Sequence, residues 1–198
     1  MLNFVRGCIV KSSEKICEQY GKNGNMFIAN INAEKIGDTV ERFIERQTQQ
    51  LFFVLEVPLT EQEEKNLRKG RTDRFHKAVY YIDGLNISRA KALMSEYGEL
   101  LIHDGLSSFG FGVRDNSAEI MCNKYNVLTI YAKTPADYGA FFVENKIPFT
   151  DNLITAWDTF NTENYGECRT ITVNGKSVYD IIVELKDMGI YLAEIRED

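Results

Sequence analysis

The chain has 198 residues, of which 44% are hydrophobic and 26% charged, and its formal net charge is −6. A domain of roughly this length buries about 70% of the surface that its unfolded chain exposes, so its core needs no metal or disulfide. The acidity disfavours nucleic acid, whose phosphates attract lysine and arginine. The N-terminus lacks the apolar core of a signal peptide, and no run has the roughly 18 apolar residues of a membrane span. We therefore expect a cytoplasmic protein with no nucleic-acid or membrane partner.

The first part of the chain mixes helix and strand patterns. A short helix is predicted at 12–20, followed by a strand at 26–31. The continuous apolar run at 51–57 predicts a strand buried on both faces, which Pro58 ends. Between these strands lies an amphipathic helix, whose apolar positions are Ile36, Val40, Phe43 and Ile44.

The segment 60–74 is polar throughout and is predicted to be a partly helical, mobile connection. It contains one basic cluster, made of Lys65, Arg68, Lys69, Arg71 and Arg74. Acidic residues interrupt this cluster, so we interpret it as a solvated loop and not as a nucleic-acid site.

A second strong strand is predicted at 77–85, with a turn signal at Asp83-Gly84. A helix follows, capped by Asn86 or Ser88, and Gly98 stands where a left-handed residue would end it. Four strand candidates separated by turn residues then cover positions 99–132. Such a meander favours an antiparallel sheet.

The last part of the chain predicts two helices and a closing strand. Thr134-Pro135 opens a helix at 136–144. An Asn-Gly turn lies within 172–179, an amphipathic helix runs to Gly189, and a final strand ends the chain. Strands and helices mix without strict alternation, so the predicted fold class is α+β. We expect one domain over 1–198, with a mixed or mainly antiparallel central sheet flanked by helices.

The stretch HDGLSSFGFGVRD, residues 103–115, has three glycines but fits neither a P-loop nor a dinucleotide fingerprint. Its F-G-F-G alternation has period two, as in a strand. Phe109 and Phe111 would then point to one face, and Gly110 and Gly112 would leave the other face bare. Bare strand glycines occur where another backbone or a ligand approaches closely. We expect either a helix packed over the glycines or a groove for a partner.

Catalytic candidates are weak. His103 and Asp104 are adjacent and would point to opposite faces of a strand, so the aspartate does not orient the histidine. Two histidines exclude a histidine-rich metal site, and the four scattered cysteines show no zinc spacing. Cys122 and Cys168 lack a local context that lowers a thiol pKa. We expect no catalytic residue, no metal and no cofactor.

The segment 150–167 is a better candidate, because it places the only tryptophan, Trp157, among acidic side chains. Aromatic anchors with a charged rim are typical of protein-binding patches. A core tryptophan on a connecting segment is the alternative. The predicted partner-binding residues are Trp157, Asp158, Glu163, Asp104, Gly110 and Gly112.

Four runs carry a family resemblance: YYIDGL, YGELLIHDGLSSFGFG, LITAWDTF and VNGKSVYDIIVELKDMGIYLAEIRED. Over the C-terminal two-thirds the chain resembles a family of Gram-positive bacterial proteins similar to the immunity proteins of polymorphic or contact-dependent toxin systems. The resemblance implies a non-enzymatic protein that binds a toxin domain, often a basic nuclease, and occludes its active site. It supplies no functional residues.

Two other hypotheses stay open. One is a hydrolase or transferase whose site combines His103 with dispersed carboxylates, which sequence spacing does not reveal. The other is a structural subunit in which an exposed strand edge pairs with a second copy of the chain.

Overall fold

The computed structural model describes residues 1–11, 13–68, 75–115 and 117–197. Most of the predicted basic cluster (Lys69, Arg71 and Arg74) lies outside them. The strands in these ranges are β1 (Cys8–Val10), β2 (Gln19–Asn23), β3 (Met26–Asn30), β4 (Leu51–Pro58), β5 (His76–Leu85), β6 (Ser108–Val113), β7 (Ala118–Asn123), β8 (Val127–Ala132), β9 (Gly166–Cys168) and β10 (Tyr191–Glu197). The helices are α1 (Ala33–Glu45), α2 (Glu61–Arg68), α3 (Ile87–His103), α4 (Ala136–Glu144) and α5 (Val178–Glu184).

Eight strands form one sheet in the order β10-β5-β4-β6-β7-β8-β3-β2. Every neighbouring pair in this sheet is antiparallel. Strands β1 and β9 form a separate antiparallel pair. The predicted α+β class with a mainly antiparallel central sheet is therefore confirmed.

The hydrophobic core lies between one face of the large sheet and its helices. Helices α1 and α3 contact each other and reach strands β4, β5 and β7. The predicted apolar stripe of α1 is confirmed, because its four members are all buried. Phe109 and Phe111 of β6 point into this core, and the Phe111 ring packs on Phe53 with centroids 5.2 Å apart.

Helix α3 is longer than predicted. It continues through Gly98 to His103, so the strand predicted at 99–105 is wrong. The helical pattern of apolar side chains continues beyond the glycine, where Leu100 and Leu101 are buried. Burying two leucines outweighs the cost of about 1 kcal/mol for glycine inside a helix. The N-terminal cap is Asn86, whose side chain accepts the Arg89 N–H at 2.8 Å.

The predicted helix at 12–20 is also wrong, because β2 begins at Gln19 and pairs with β3. Tyr20 stacks on Phe142 of α4 with ring centroids 4.2 Å apart, which fixes this strand on the core. The helix at 136–144 and the closing strand are confirmed, whereas the helix predicted to run to Gly189 ends at Glu184 and is followed by a 3-10 turn at Leu185–Met188. Asn174 and Gly175 turn with positive φ, α5 follows, and Gly189 has φ 87°.

In the parts of the chain that the structure describes, no helix has both the length and the apolar character needed to cross a bilayer.

Candidate functional site

The face of the large sheet opposite the core carries Gly110 and Gly112, as the alternation predicts. Cross-strand pairing sets side chains in rows on this face, since directly opposed residues point the same way. Val54, Gly110, Met121 and Thr129 form one such row. We call this surface the glycine face, and its central members are Phe52, Val54, Tyr81, Gly110, Gly112, Glu119, Met121, Thr129 and Tyr131.

Neighbouring strands fill the space over the two glycines. A Cβ on Gly112 would overlap the ring of Phe52. A Cβ on Gly110 would overlap the carbonyl oxygen of Ile120 and Sδ of Met121. Other groups therefore approach both glycines closely, as expected. These groups belong to the neighbouring strands β4 and β7 and not to a packed helix, which was one of the two expectations.

An aromatic row extends from this point toward the β10 edge. The Phe52 and Tyr81 rings lie 5.6 Å apart between centroids, and Tyr81 and Tyr191 lie 6.4 Å apart. The Tyr191 hydroxyl donates to Asp83 at 2.8 Å, which holds the last ring in place. Gly112 thus leaves the space that the Phe52 ring, the first of this row, occupies.

The segment 150–157 crosses the other end of the glycine face. Asn30, which this face carries on β3, donates from Nδ2 to the carbonyl of Ile154 at 2.8 Å. The Cβ of Leu153 would lie 3.3 Å from a Cβ on Gly21 of β2. The backbone of this segment therefore packs directly on the two strands.

Trp157 lies where this segment reaches the centre of the sheet. It borders a shallow depression of about 260 Å³. The other residues of the depression are Lys77, Ser108, Asn123, Lys124 and Val127. The structure thus brings Trp157 to the face that also carries Gly110 and Gly112, although more than 40 residues separate them in sequence.

The Trp157 indole is held on one side and open on the other. Its ring meets Tyr125 edge to face, with centroids 4.8 Å apart and planes at 88°. It also contacts the Phe160 ring at 5.6 Å. The side chain remains 52% exposed, so it is not the core tryptophan of the alternative interpretation.

Asp158 directly follows Trp157 in the chain, and both Asp158 and Glu163 are exposed. The Asp158 carboxylate accepts from the Thr155 hydroxyl at 2.7 Å and from its N–H at 2.8 Å, and these bonds lower the Asp158 pKa. Asp151 and Glu167 are exposed as well, and the range 150–167 contains no lysine or arginine. We call these four carboxylates the acidic rim.

Asp104 occupies a different environment from the one predicted, because it is buried at the end of α3 and not on a strand. Its Oδ2 accepts from the N–H groups of Leu106 and Ser107 at 3.1 and 2.8 Å. Its Oδ1 accepts from the Thr170 hydroxyl at 2.5 Å and from the Ile171 N–H at 3.1 Å. This carboxylate joins α3 to the C-terminal part of the chain, and the surface proposed below does not include it.

The two histidines lie on different elements, β5 and α3, and each contacts a different partner. The Arg6 N–H donates to His103 Nδ1 at 3.2 Å. Burial, followed by the Arg6 charge, lowers the pKa of His103. His76 Nδ1 lies 3.2 Å from a Glu64 oxygen. Neither arrangement places a histidine beside several carboxylates.

Glu56 and Glu119 add acidic groups to the glycine face. Glu56 is buried and pairs with Arg196, and Lys77 Nζ lies 3.6 Å from its other oxygen. Burial, reinforced by the Glu56 charge, raises the pKa of Glu119. Glu119 is thus a partly buried carboxyl whose charge an incoming cation would stabilise.

The sequence analysis considered Cys168 alone and expected nothing to lower its thiol pKa, but the structure places it beside Cys8, and its pKa is lowered to about 7. Cys8 and Cys168 are directly opposed in the β1–β9 pair, with their Sγ atoms 3.4 Å apart. No local signal marks them, because 160 positions separate the two cysteines. Only the pairing of β1 with β9 reveals the site.

Across the described ranges, no group of three or more His, Cys, Asp or Glu side chains is arranged to hold a metal ion. Comparisons with protein-family models, curated proteins and solved structures gave no match.

Proposed function

We propose that this chain is a non-enzymatic, cytoplasmic protein-binding protein that docks a basic protein partner on its glycine face. The observation that carries the proposal is the position of Trp157, which is half exposed on the same face as the aromatic row. Within this class we propose an immunity protein, which binds a cognate toxin domain and occludes its active site.

The aromatic content of the face supports a docking role. Tyr131 and Met26 are opposed on β8 and β3, and they are 37% and 41% exposed. Together with Trp157 they offer large apolar area on a rigid sheet. Aromatic side chains of this kind dominate binding energy at interfaces when a partner desolvates them.

The distribution of charge supports a basic partner. The four carboxylates of the acidic rim belong to the same segment, 150–167, as Trp157, and the whole chain carries a net charge of −6. Complementary charge accelerates encounter and disfavours partners of like charge. A cationic toxin domain, such as a nuclease that must approach phosphates, has the matching charge.

The homo-oligomer hypothesis has one observation in its favour. Strand β10 is an edge strand whose seven residues are all exposed, including Leu192 and Ile195. However, a bulge between Leu192 and Glu194 and the charged residues beside it are features that protect strand edges from pairing. Light scattering on the purified protein separates a monomer from a dimer.

Co-expression with the product of the adjacent gene tests the proposal. We expect that product to be a basic toxin domain that arrests growth alone and forms a complex with this chain, restoring growth. Trp157→Ala should weaken the rescue. Phe149→Ala is the matched control, because Phe149 is also 52% exposed but lies beside Tyr20 at the far edge of the sheet. An adjacent product that neither binds nor inhibits growth would contradict the proposal.

A further inference from the structure

Cys8 and Cys168 have the backbone geometry of a cross-strand disulfide site. The N–H of Arg169 donates to the Gly7 carbonyl at 2.9 Å, so the two cysteines occupy the adjacent non-hydrogen-bonded position. At such positions the Cα atoms lie about 4.5 Å apart, which is within the range that disulfides span. With Sγ atoms 3.4 Å apart, only small side-chain rotations separate the thiols from bonding distance.

The two thiols differ in environment. Cys8 is buried, and its Sγ lies 3.9 Å from the Gly105 carbonyl oxygen. Cys168 is partly exposed. A peroxide molecule therefore reaches Cys168 before Cys8.

The surroundings of Cys168 favour its thiolate. The hydrogen bond from Cys8 lowers the pKa of Cys168 to about 7, and the Tyr125 hydroxyl and the Lys124 charge act in the same direction. Burial and the Asp104 charge oppose this shift. The pKa of Cys8 is raised, chiefly because its proton is shared with Cys168. At neutral pH a substantial fraction of Cys168 is therefore nucleophilic while Cys8 keeps its proton.

We propose that Cys8 and Cys168 are a reversible dithiol site that a hydroperoxide oxidises to an intramolecular disulfide. The Cys168 thiolate attacks one oxygen of hydrogen peroxide, which gives Cys168 sulfenic acid and hydroxide. The Cys8 sulfur then attacks the Cys168 sulfur, and the sulfenic oxygen leaves as water after taking up a proton. In total, two thiols lose two electrons, and one peroxide becomes two waters. A dithiol reductant reverses the change.

The site also contacts the docking surface. Tyr125 bonds to Cys168 through its hydroxyl and packs against Trp157 with its ring. Disulfide formation removes the Cys168 thiolate, which accepts the hydrogen bond from the Tyr125 hydroxyl. This site does not depend on the proposed partner, and it is tested on the isolated protein.

Treatment of the purified, reduced protein with hydrogen peroxide tests the inference. We expect Cys8 and Cys168 joined in a single intramolecular peptide pair after non-reducing digestion and, in the Cys17→Ser variant, a mass lower by two hydrogen atoms. Dithiothreitol should restore the original mass. The inference would be overturned if Cys8 and Cys168 were still reduced after peroxide had fully oxidised the exposed Cys17. It would also be overturned if peroxide joined Cys17 to another molecule by a disulfide while Cys8 and Cys168 stayed reduced.

Single serine variants separate the two roles. Cys8→Ser should stop at the sulfenic acid on Cys168, which a dimedone probe captures, whereas Cys168→Ser should react at least tenfold more slowly at residue 8. Cys17→Ser is the control and should form the disulfide like the wild type. Circular dichroism confirms that each variant is folded. Equal reactivity of Cys8 and Cys168 toward the probe would contradict the assignment of the attacking thiol.

The pH dependence of alkylation gives a second, independent measurement. In a Cys17→Ser background, the iodoacetamide rate at Cys168 should rise with a midpoint near pH 7, as the pKa of Cys168 is about 7. Tyr125→Phe should move that midpoint upward, because it removes one donor to the thiolate. Lys124 and Asp104 remain in both proteins, so the shift reports the hydroxyl alone. A midpoint near that of free cysteine in both proteins would contradict the proposed environment.

Discussion

The ring of Phe52 occupies the space in which a side chain at Gly112 would stand. The two residues are directly opposed on β4 and β6, and the missing side chain leaves the space that the ring occupies. The same strand turns Phe109 and Phe111 into the core. One short alternation therefore builds both the core and the aromatic surface that we propose for docking.

Alanine at the two glycines should have different costs. In Gly110→Ala the new methyl group meets the backbone oxygen of Ile120, which moves only if the β6–β7 pairing is distorted. In Gly112→Ala it meets the end of the Phe52 ring, a side chain that moves with less distortion than a strand backbone. We expect losses in the free energy of unfolding of about 3 kcal/mol and about 1 kcal/mol, respectively. Urea denaturation measures both, and equal losses would contradict the packing described for Phe52.

Asp104→Asn should destabilise the fold and leave the docking surface intact. The amide replaces one of two oxygens that accept four hydrogen bonds, and its NH₂ group faces donors. We expect a loss of about 2–4 kcal/mol in the free energy of unfolding, since hydrogen bonds to buried charged groups are strong. The exposed control Asp158→Asn should cost less than about 1 kcal/mol. An Asp104→Asn protein with wild-type stability and weakened partner binding would contradict this assignment.

Glu119→Gln should stabilise the protein at neutral pH. Burial raises the folded-state pKa of Glu119 above its unfolded value near 4.5. At a pH above both pKa values the carboxylate is ionised in both states, and its burial then destabilises the folded state. The variant should gain less than about 1 kcal/mol at pH 7, because the group is partly solvated, and nothing at about pH 4. Thermal unfolding at both pH values measures the difference, and an equal gain at both would exclude titration as its cause.

His103→Asn separates a structural histidine from a catalytic one. The asparagine oxygen replaces Nδ1 as the acceptor of the Arg6 N–H but does not titrate. Since burial lowers the folded-state pKa of His103, the wild type should lose a few tenths of a kcal/mol of stability as the pH falls below about 6.5, and the variant should not. Denaturation at pH 7.5 and 5.5 measures this effect. Loss of an enzymatic activity in a variant of unchanged stability would instead favour the hydrolase or transferase hypothesis.

The elements predicted correctly share a strong local period. The apolar stripe of α1 repeats at helical spacing, and the short, β-branched and aromatic run of β4, which Pro58 ends, favours a buried strand. Helix α5 continues into a 3-10 turn at Leu185–Met188, and Gly189, in the left-handed conformation, ends that turn. Each of these signals depends only on residues that are close in sequence, so it can be read without the rest of the fold.

The errors arose where tertiary packing overrides a local signal. Gly98 is a common helix terminator, but the leucines after it pack in the core and continue α3. The polar strand β2 has little strand character of its own, and its pairing with β3 together with Tyr20 stacking on Phe142 fixes it. Both outcomes depend on residues that are distant in sequence.

The candidate site was predictable only in part. Trp157 was selected as a lone tryptophan among acids and Gly110 from the alternation, but no sequence signal places them on one face. Asp104 was selected for its position beside the glycine strand, whereas its bonds to Thr170 and Ile171 explain its burial. The thiol pair is visible only once β1 is paired with β9.

If the adjacent gene encodes the proposed toxin domain, the dissociation constant of its complex with this chain tests the docking surface most directly. We predict that Trp157→Ala weakens binding by about 30-fold or more, as loss of a central aromatic anchor does, and that Phe149→Ala changes it less than about threefold. The wild-type affinity should also fall as salt increases, since opposite charges attract across the acidic rim. Tight, salt-independent binding that Trp157→Ala leaves unchanged would contradict the account.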